Sequence, residues 1–238
     1  MSPFENEKRS IPFSTWATSI SRHMFPDNLL EDSFVNEDVF CTRNTFLDSF
    51  QGKKILIVGG GPSTREFDFS NHNYDSIWSC NHFFLNDTLD KTKVDLISIA
   101  GELDIEDSKF LDYTQRYNPI VCLEIHHKWQ GYKFNNYENY MVFHSNFYGK
   151  LGICVRQIIM AAFCGAPEIG FVGLDGPKYI KKGDHAFEKD KNLLPSGYNN
   201  EMYFNQYKIF WQYIQKKFPD TVFKNLGYKN NYHPVEIS

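Results

Sequence analysis

The chain has 238 residues, a formal net charge of −4, and is 42% hydrophobic and 23% charged. That composition supports a packed core and excludes a disordered chain. The acidic balance, with no basic stripe, excludes a dedicated nucleic-acid binder. No run approaches the roughly 18 apolar residues of a membrane-spanning helix, and the first ten residues lack the basic-then-apolar order of a signal peptide. The five cysteines contain no C-x-x-C pair, so neither a disulfide framework nor a zinc knuckle is expected. A reducing, cytoplasmic setting is the expectation that follows.

Residues 1–52 are polar and interrupted by Pro3, Pro12 and Pro26, and read as a partly helical N-terminal extension. Residues 53–238 read as one domain. Its first strong signal is Ile55-Leu56-Ile57-Val58, a short β-branched run with lysines before it and glycines after it, as in a buried parallel strand. Further apolar runs at 77–80, 94–100, 120–125, 140–144, 168–173 and 221–226 predict more strands. A helix is expected over 151–164, stopped by Gly165 and Pro167. Another is expected over 201–218, with Phe204, Tyr207, Ile209, Phe210, Trp211, Tyr213 and Ile214 on its apolar face. Strands alternating with helices predict an α/β, Rossmann-like domain with a mainly parallel sheet. In such sheets ligands bind beyond the carboxyl ends of the strands, where the strand order reverses.

The loop after the first strand is Gly59-Gly60-Gly61-Pro62-Ser63. Glycines let the backbone turn sharply and approach a ligand closely. Ser63-Thr64-Arg65-Glu66 fits the S-x-x-E capping box, which predicts Ser63 as the N-cap of a short helix and free N–H groups facing a phosphate. The loop is neither the dinucleotide fingerprint nor a P-loop: Thr64 stands where a small residue is needed, no acid closes the second strand, and no G-K-[ST] follows. Asn81 and His82 end the second strand instead. A carboxamide offers both a donor and an acceptor to a base or ribose edge. The plain alternative is that the loop is a tight turn and Asn81 a strand-end turn residue.

Three later features carry chemistry. Asp175 ends a strand in Gly173-Leu174-Asp175-Gly176-Pro177, where its carboxylate would bind acceptor hydroxyls, orient a base, hold a metal or form an Asx turn. His185 lies in a loop with Lys178, Tyr179, Lys181 and Lys182, cations that suit a donor phosphate or an acidic acceptor. An imidazole suits proton transfer near neutral pH, which makes His185 the acid–base candidate. Trp129 and Tyr232 are rings that either stack on a ligand or pack, and Tyr228 and His233 share that choice. No metal site is assigned: His126, His127 and His144 lack companion spacing, and no D-x-D motif is present.

The order of Gly59-x-Gly61-Pro62-Ser63, Asp68, Cys80-Asn81 and Gly173-Leu174-Asp175, with Gly152, Ala186-Phe187 and Asn192-Leu193-Leu194, resembles bacterial lipooligosaccharide sialyltransferases (glycosyltransferase family 42). It is also similar to the wider MptE-like superfamily, which includes 6-hydroxymethylpterin diphosphokinases. The resemblance spans roughly residues 54–228. It implies that Gly59, Gly60, Gly61, Ser63, Asn81 and His82 hold a nucleotide, and that Asp175 and His185 act at the reacting centre. Lys178, Tyr179, Trp129 and Tyr232 then belong to the substrate side. The chain departs from the sialyltransferase pattern at Gly60 (Asn in the family) and Leu151 (Ser). Pro177 and His185 stand in place of two tyrosines. No histidine lies between Asn192 and Gln206, where the family places its base; His185-Ala186 is instead similar to a His-Ala pair of the MptE-like group.

Three functions are expected in order. The first is a sialyltransferase-like glycosyltransferase of surface-glycan or lipopolysaccharide biosynthesis, using a CMP-linked nonulosonic acid donor and a glycan acceptor. It would need no cofactor, and its acceptor allows peripheral membrane association. The second is an MptE-like pyrophosphokinase that moves diphosphate from ATP with Mg²⁺. The third is a non-catalytic nucleotide- or glycan-binding module.

Overall fold

The computed structural model describes residues 34–35, 39–42, 45–124, 139–145, 151–175, 185–188, 200–228, 233 and 236–237. Ten strands are described: β1 Phe34–Val35, β2 Val39–Cys41, β3 Ile55–Val58, β4 Ser76–Cys80, β5 Leu96–Ile99, β6 Ile120–Leu123, β7 Tyr140–Ser145, β8 Glu168–Val172, β9 Val222–Asn225 and β10 Glu236–Ile237. The helices are α1 Thr45–Asp48, α2 Ser108–Tyr117, α3 Ile153–Phe163 and α4 Asn200–Lys217. The strands form one sheet in the order β1-β2-β7-β6-β5-β4-β3-β8-β9-β10. All neighbours from β7 to β10 run parallel, while β1–β2 and β2–β7 are antiparallel. This is the expected α/β, Rossmann-like architecture.

A sheet buried on both faces explains the continuous apolar runs. Successive residues of β3 point to opposite sides: Leu56 and Val58 join a core with Phe83, Phe110 and Tyr113, while Ile55 and Ile57 join one with Phe171, Phe210 and Trp211. Helix α3 is buried almost all round, from Val155 to Ala162, because so little of it is polar. Gly165, at φ +77°, ends it in the left-handed conformation that favours glycine.

The extension is partly helical through α1, as expected, but its strands, one further helix and the turn at Ser63 are not as expected. The described part of the N-terminal extension adds strands to the sheet edge: Val39 pairs with Ser145 and Cys41 with Phe143, and the Phe50 ring packs edge-on against Trp78 at 4.9 Å. Helix α2 is not among the predicted elements, although its signals are present. Asp107 accepts N–H bonds from Lys109 and Phe110 as N-cap, and Asn118 closes the helix at φ +48°. The capping box at Ser63 does not form. Residues Pro62–Arg65 make a four-residue 3₁₀ turn preceded by Gly61, with no side-chain cap.

The chain runs outward from β3 through β4, β5, β6 and β7, then returns through α3 to β8 on the other side of β3. The strand order therefore reverses between β3 and β8. The loops leaving these two strands are the Gly59–Ser63 loop and the Gly173–Asp175 loop.

Candidate functional site

The two switch-point loops are locked to each other. Gly59 N–H donates to the Val172 carbonyl at 2.8 Å, and Gly61 N–H donates to the Gly173 carbonyl at 2.9 Å. The approach is too close for side chains. A Cβ on Gly59 would stand 2.8 Å from the Gly173 oxygen, and one on Gly61 would stand 2.5 Å from Asp175 Oδ2 and 2.6 Å from the Gly173 oxygen. The glycines thus serve loop-to-loop packing first. Substituting Gly61→Ala is expected to destabilise the fold by about 1–3 kcal/mol through overpacking, read as a lowered urea midpoint with unchanged slope.

Asp175 sits at the centre of this junction and is 1% exposed. Its Oδ2 accepts the Ser63 N–H at 2.9 Å, and its Oδ1 accepts the Tyr228 N–H at 3.3 Å. One carboxylate therefore ties the loops after β3, β8 and β9 together. Burial pushes its pKa above the ordinary carboxylate value, opposed by the hydrogen bonds from Ser63 and Tyr228. Ser63 is buried as well, and its Oγ accepts the Gly173 N–H at 3.0 Å. The N–H groups of Gly59, Gly61 and Ser63 are thus spent within the protein. Gly60 N–H is the loop amide with no partner among the described residues.

Asn81 adopts φ +46°, so it is a left-handed strand-end turn as the plain reading expected. Its Oδ1 accepts the Ala100 N–H at 3.0 Å, which fixes the amide orientation and leaves Nδ2 without a partner among the described residues. A fixed amide with unused donors is suited to reading a ligand edge.

The segment 185–188 lies against the loop after β3. Ala186 N–H donates to the Gly60 carbonyl at 2.8 Å, and Arg65 Nη2 donates to the His185 carbonyl at 2.9 Å. The His185 imidazole lies against Gly60, so that a Cβ there would run into the ring. His185 Nδ1 accepts N–H bonds from both Phe187 and Glu188 at 3.2 Å. The neutral ring must then carry its proton on Nε2, and it acts as a hydrogen-bond donor. His82, after Asn81, places Nδ1 3.2 Å from Glu188 Oε1.

Lys178, Tyr179, Lys181, Lys182, Trp129 and Tyr232 lie outside the described residues, as does the stretch around Asn192. His233 is not a cleft residue: it is 1% exposed, accepting a bond from Trp211 Nε1 at 3.0 Å. Sequence reasoning missed Thr64, whose hydroxyl donates to the Gly59 carbonyl at 2.7 Å, and Arg65 and Glu188. It also missed the approach of the Cys80 and Cys154 sulfurs to 3.6 Å, both as free thiols. Thr64 and Arg65 stand next to a recognised loop; Glu188 had no local signal.

No helix among the described residues is long and apolar enough to cross a membrane. No family model matches the chain, and no curated protein does. Among solved structures, the chain is similar to the sialyltransferase CstII from Campylobacter jejuni in complex with a substrate analogue, cytidine-5′-monophosphate. The TM-score is 0.50 at 16% identity over 74% of this chain and 81% of that one, which makes the likeness one of fold.

Proposed function

We propose that the protein is a glycosyltransferase that takes its sugar from a nucleotide-activated donor, with a CMP-linked nonulosonic acid as the donor and a surface glycan as the acceptor. The observation that carries this reading is the position of two backbone and side-chain donors without a partner among the described residues, Gly60 N–H and Asn81 Nδ2, on the adjacent loops after β3 and β4 beside the strand-order reversal of the sheet. Open α/β sheets bind ligands at that point. The fold likeness to an enzyme bound to cytidine-5′-monophosphate supports the nucleotide by analogy. In this reading the Gly60 amide meets donor phosphate and Asn81 reads the nucleoside. His185 donates a hydrogen bond to the phosphate oxygen on which charge develops as the sugar departs. Asp175 is a positioning residue, since both its oxygens are engaged by backbone N–H groups.

A thermal-shift screen of CMP, UDP, GDP and ATP, each with and without Mg²⁺, tests the reading. CMP is expected to stabilise the protein without Mg²⁺, by roughly 2.7 kcal/mol at a hundredfold excess over Kd. Stabilisation by ATP alone, and only with Mg²⁺, would favour the pyrophosphokinase. In a Gly60→Ala variant the displaced His185 ring is expected to lower donor turnover by more than it lowers CMP affinity, measured by initial rates against calorimetric Kd.

A further inference from the structure

The neutral His185 ring cannot take a proton at Nε2, because that nitrogen already carries one while Nδ1 accepts two N–H bonds. A transfer to a hydroxyl acceptor needs a base, and a second imidazole is placed to supply it. His82 follows Asn81 at the carboxyl end of β4, one strand from the Gly59–Ser63 loop. Its side chain is 19% exposed, yet its Nδ1 atom is fully buried. The Glu188 carboxylate lies 3.2 Å from that buried nitrogen, at ion-pair distance though not in line for a well-aligned hydrogen bond. A buried ring nitrogen beside a carboxylate holds its proton there, since a lone pair on that nitrogen would face the carboxylate's negative charge from a site closed to water. Nε2 is then the nitrogen with the lone pair, and it is the one with access to solvent.

Glu188 also connects the two rings. Its backbone N–H donates to His185 Nδ1, while its carboxylate faces His82 Nδ1. One residue thus sets opposite tautomers on two imidazoles: His185 is made a donor at Nε2 and His82 an acceptor at Nε2. The segment that carries it is held by the Gly60 carbonyl, by Arg65, and by Asn86 Nδ2 on the Ala186 carbonyl at 3.4 Å.

We infer that His82, with its proton held on Nδ1 by Glu188, is the general base of the transfer reaction, and that Glu188 is its positioning residue. The inference rests on the nucleotide-sugar reading for its substrate. The acceptor hydroxyl gives its proton to His82 Nε2 as its oxygen bonds the anomeric carbon. The bond from that carbon to the phosphate oxygen breaks, and the electron pair leaves with the phosphate. His185 donates a hydrogen bond to the departing oxygen without losing its proton. The His82 imidazolium, facing the Glu188 carboxylate, later returns the proton to solvent.

Two measurements on the full chain test this. In ¹⁵N-histidine NMR, His82 is expected as the Nδ1–H tautomer and His185 as the Nε2–H tautomer, with Glu188→Gln altering the His82 pattern. Finding the His82 proton on Nε2 in the wild type overturns the proposal. In kinetics, His82→Gln is expected to bind CMP within about threefold of wild type while turnover falls roughly 10²–10⁴-fold. Added imidazole should restore part of the loss in His82→Ala. Unchanged turnover in His82→Gln overturns the base assignment. A wild-type protein that turns over no nucleotide sugar overturns the transfer reading instead, and the tautomer measurement then judges the His82–Glu188 pair by itself.

Discussion

Replacing Arg156 by methionine is expected to cost about 3–5 kcal/mol of folding stability. Arg156 lies in the first half of α3 and Glu124 follows β6, and both are buried. The guanidinium grips the carboxylate with two parallel bonds, Nε to Oε1 and Nη2 to Oε2, the latter at 2.7 Å. Such a fork is geometrically specific and charge-assisted. Removing one partner leaves the other charge buried without this counter-charge, which is why the single change costs more than the pair contributes. At this chain length each kcal/mol lowers the melting temperature by roughly 2–4 °C. The double variant Arg156→Met, Glu124→Leu is expected to recover most of the loss. Urea melts of the two single variants and the double variant measure the coupling; additive losses would show that the two side chains act independently.

The second large effect is a loss of stability in mild acid that traces to His233. Trp211 Nε1–H can only donate, so His233 Nδ1 must accept, and His233 Nε2–H then donates to the Leu174 carbonyl at 2.7 Å. The ring is complete as a neutral group. Burial, only partly opposed by the Leu174 bond, pushes its pKa down to about 4 from an ordinary value of 6.5. Above pH 6.5 the ring is neutral in both states and its contribution is fully present. As pH falls below 6.5 the unfolded chain takes up a proton that the folded chain refuses. Stability therefore drops by roughly 1.4 kcal/mol per pH unit, reaching about 3 kcal/mol near pH 4. Asp175 works in the opposite direction, because its raised pKa lets the folded state bind its proton first. The comparison that isolates His233 is therefore with His233→Gln, whose amide can accept from Trp211 and donate to Leu174 without titrating. Chemical denaturation from pH 7.5 to 4.5 should show a shallower fall for His233→Gln; parallel curves would remove His233 from the explanation.

These effects connect to the cleft through single residues. His233 holds Leu174, the neighbour of Asp175, and Asp175 holds the Ser63 and Tyr228 amides. The rigidity of the loops that would meet a ligand thus depends on buried polar groups behind them, where hydrogen bonds are costly to leave unmade.

What could be read from the amino-acid sequence is what depends on neighbours along the chain. The seven strands from Ile55 to Asn225 and the helices α3 and α4 declare themselves by apolar runs and by stop signals such as Gly165-Ala166-Pro167, because burial on a two-sided sheet leaves a local mark. The glycine loop was visible for the same reason, as three residues without side chains directly after a strand. The tertiary structure decided everything that depends on partners distant in sequence. It made Asp175 a tie between three loops, placed Glu124 against Arg156 and Cys80 against Cys154, and turned His233 from a candidate cleft residue into a buried brace. It also decided which backbone N–H groups fold against His185 Nδ1, and no local pattern records that.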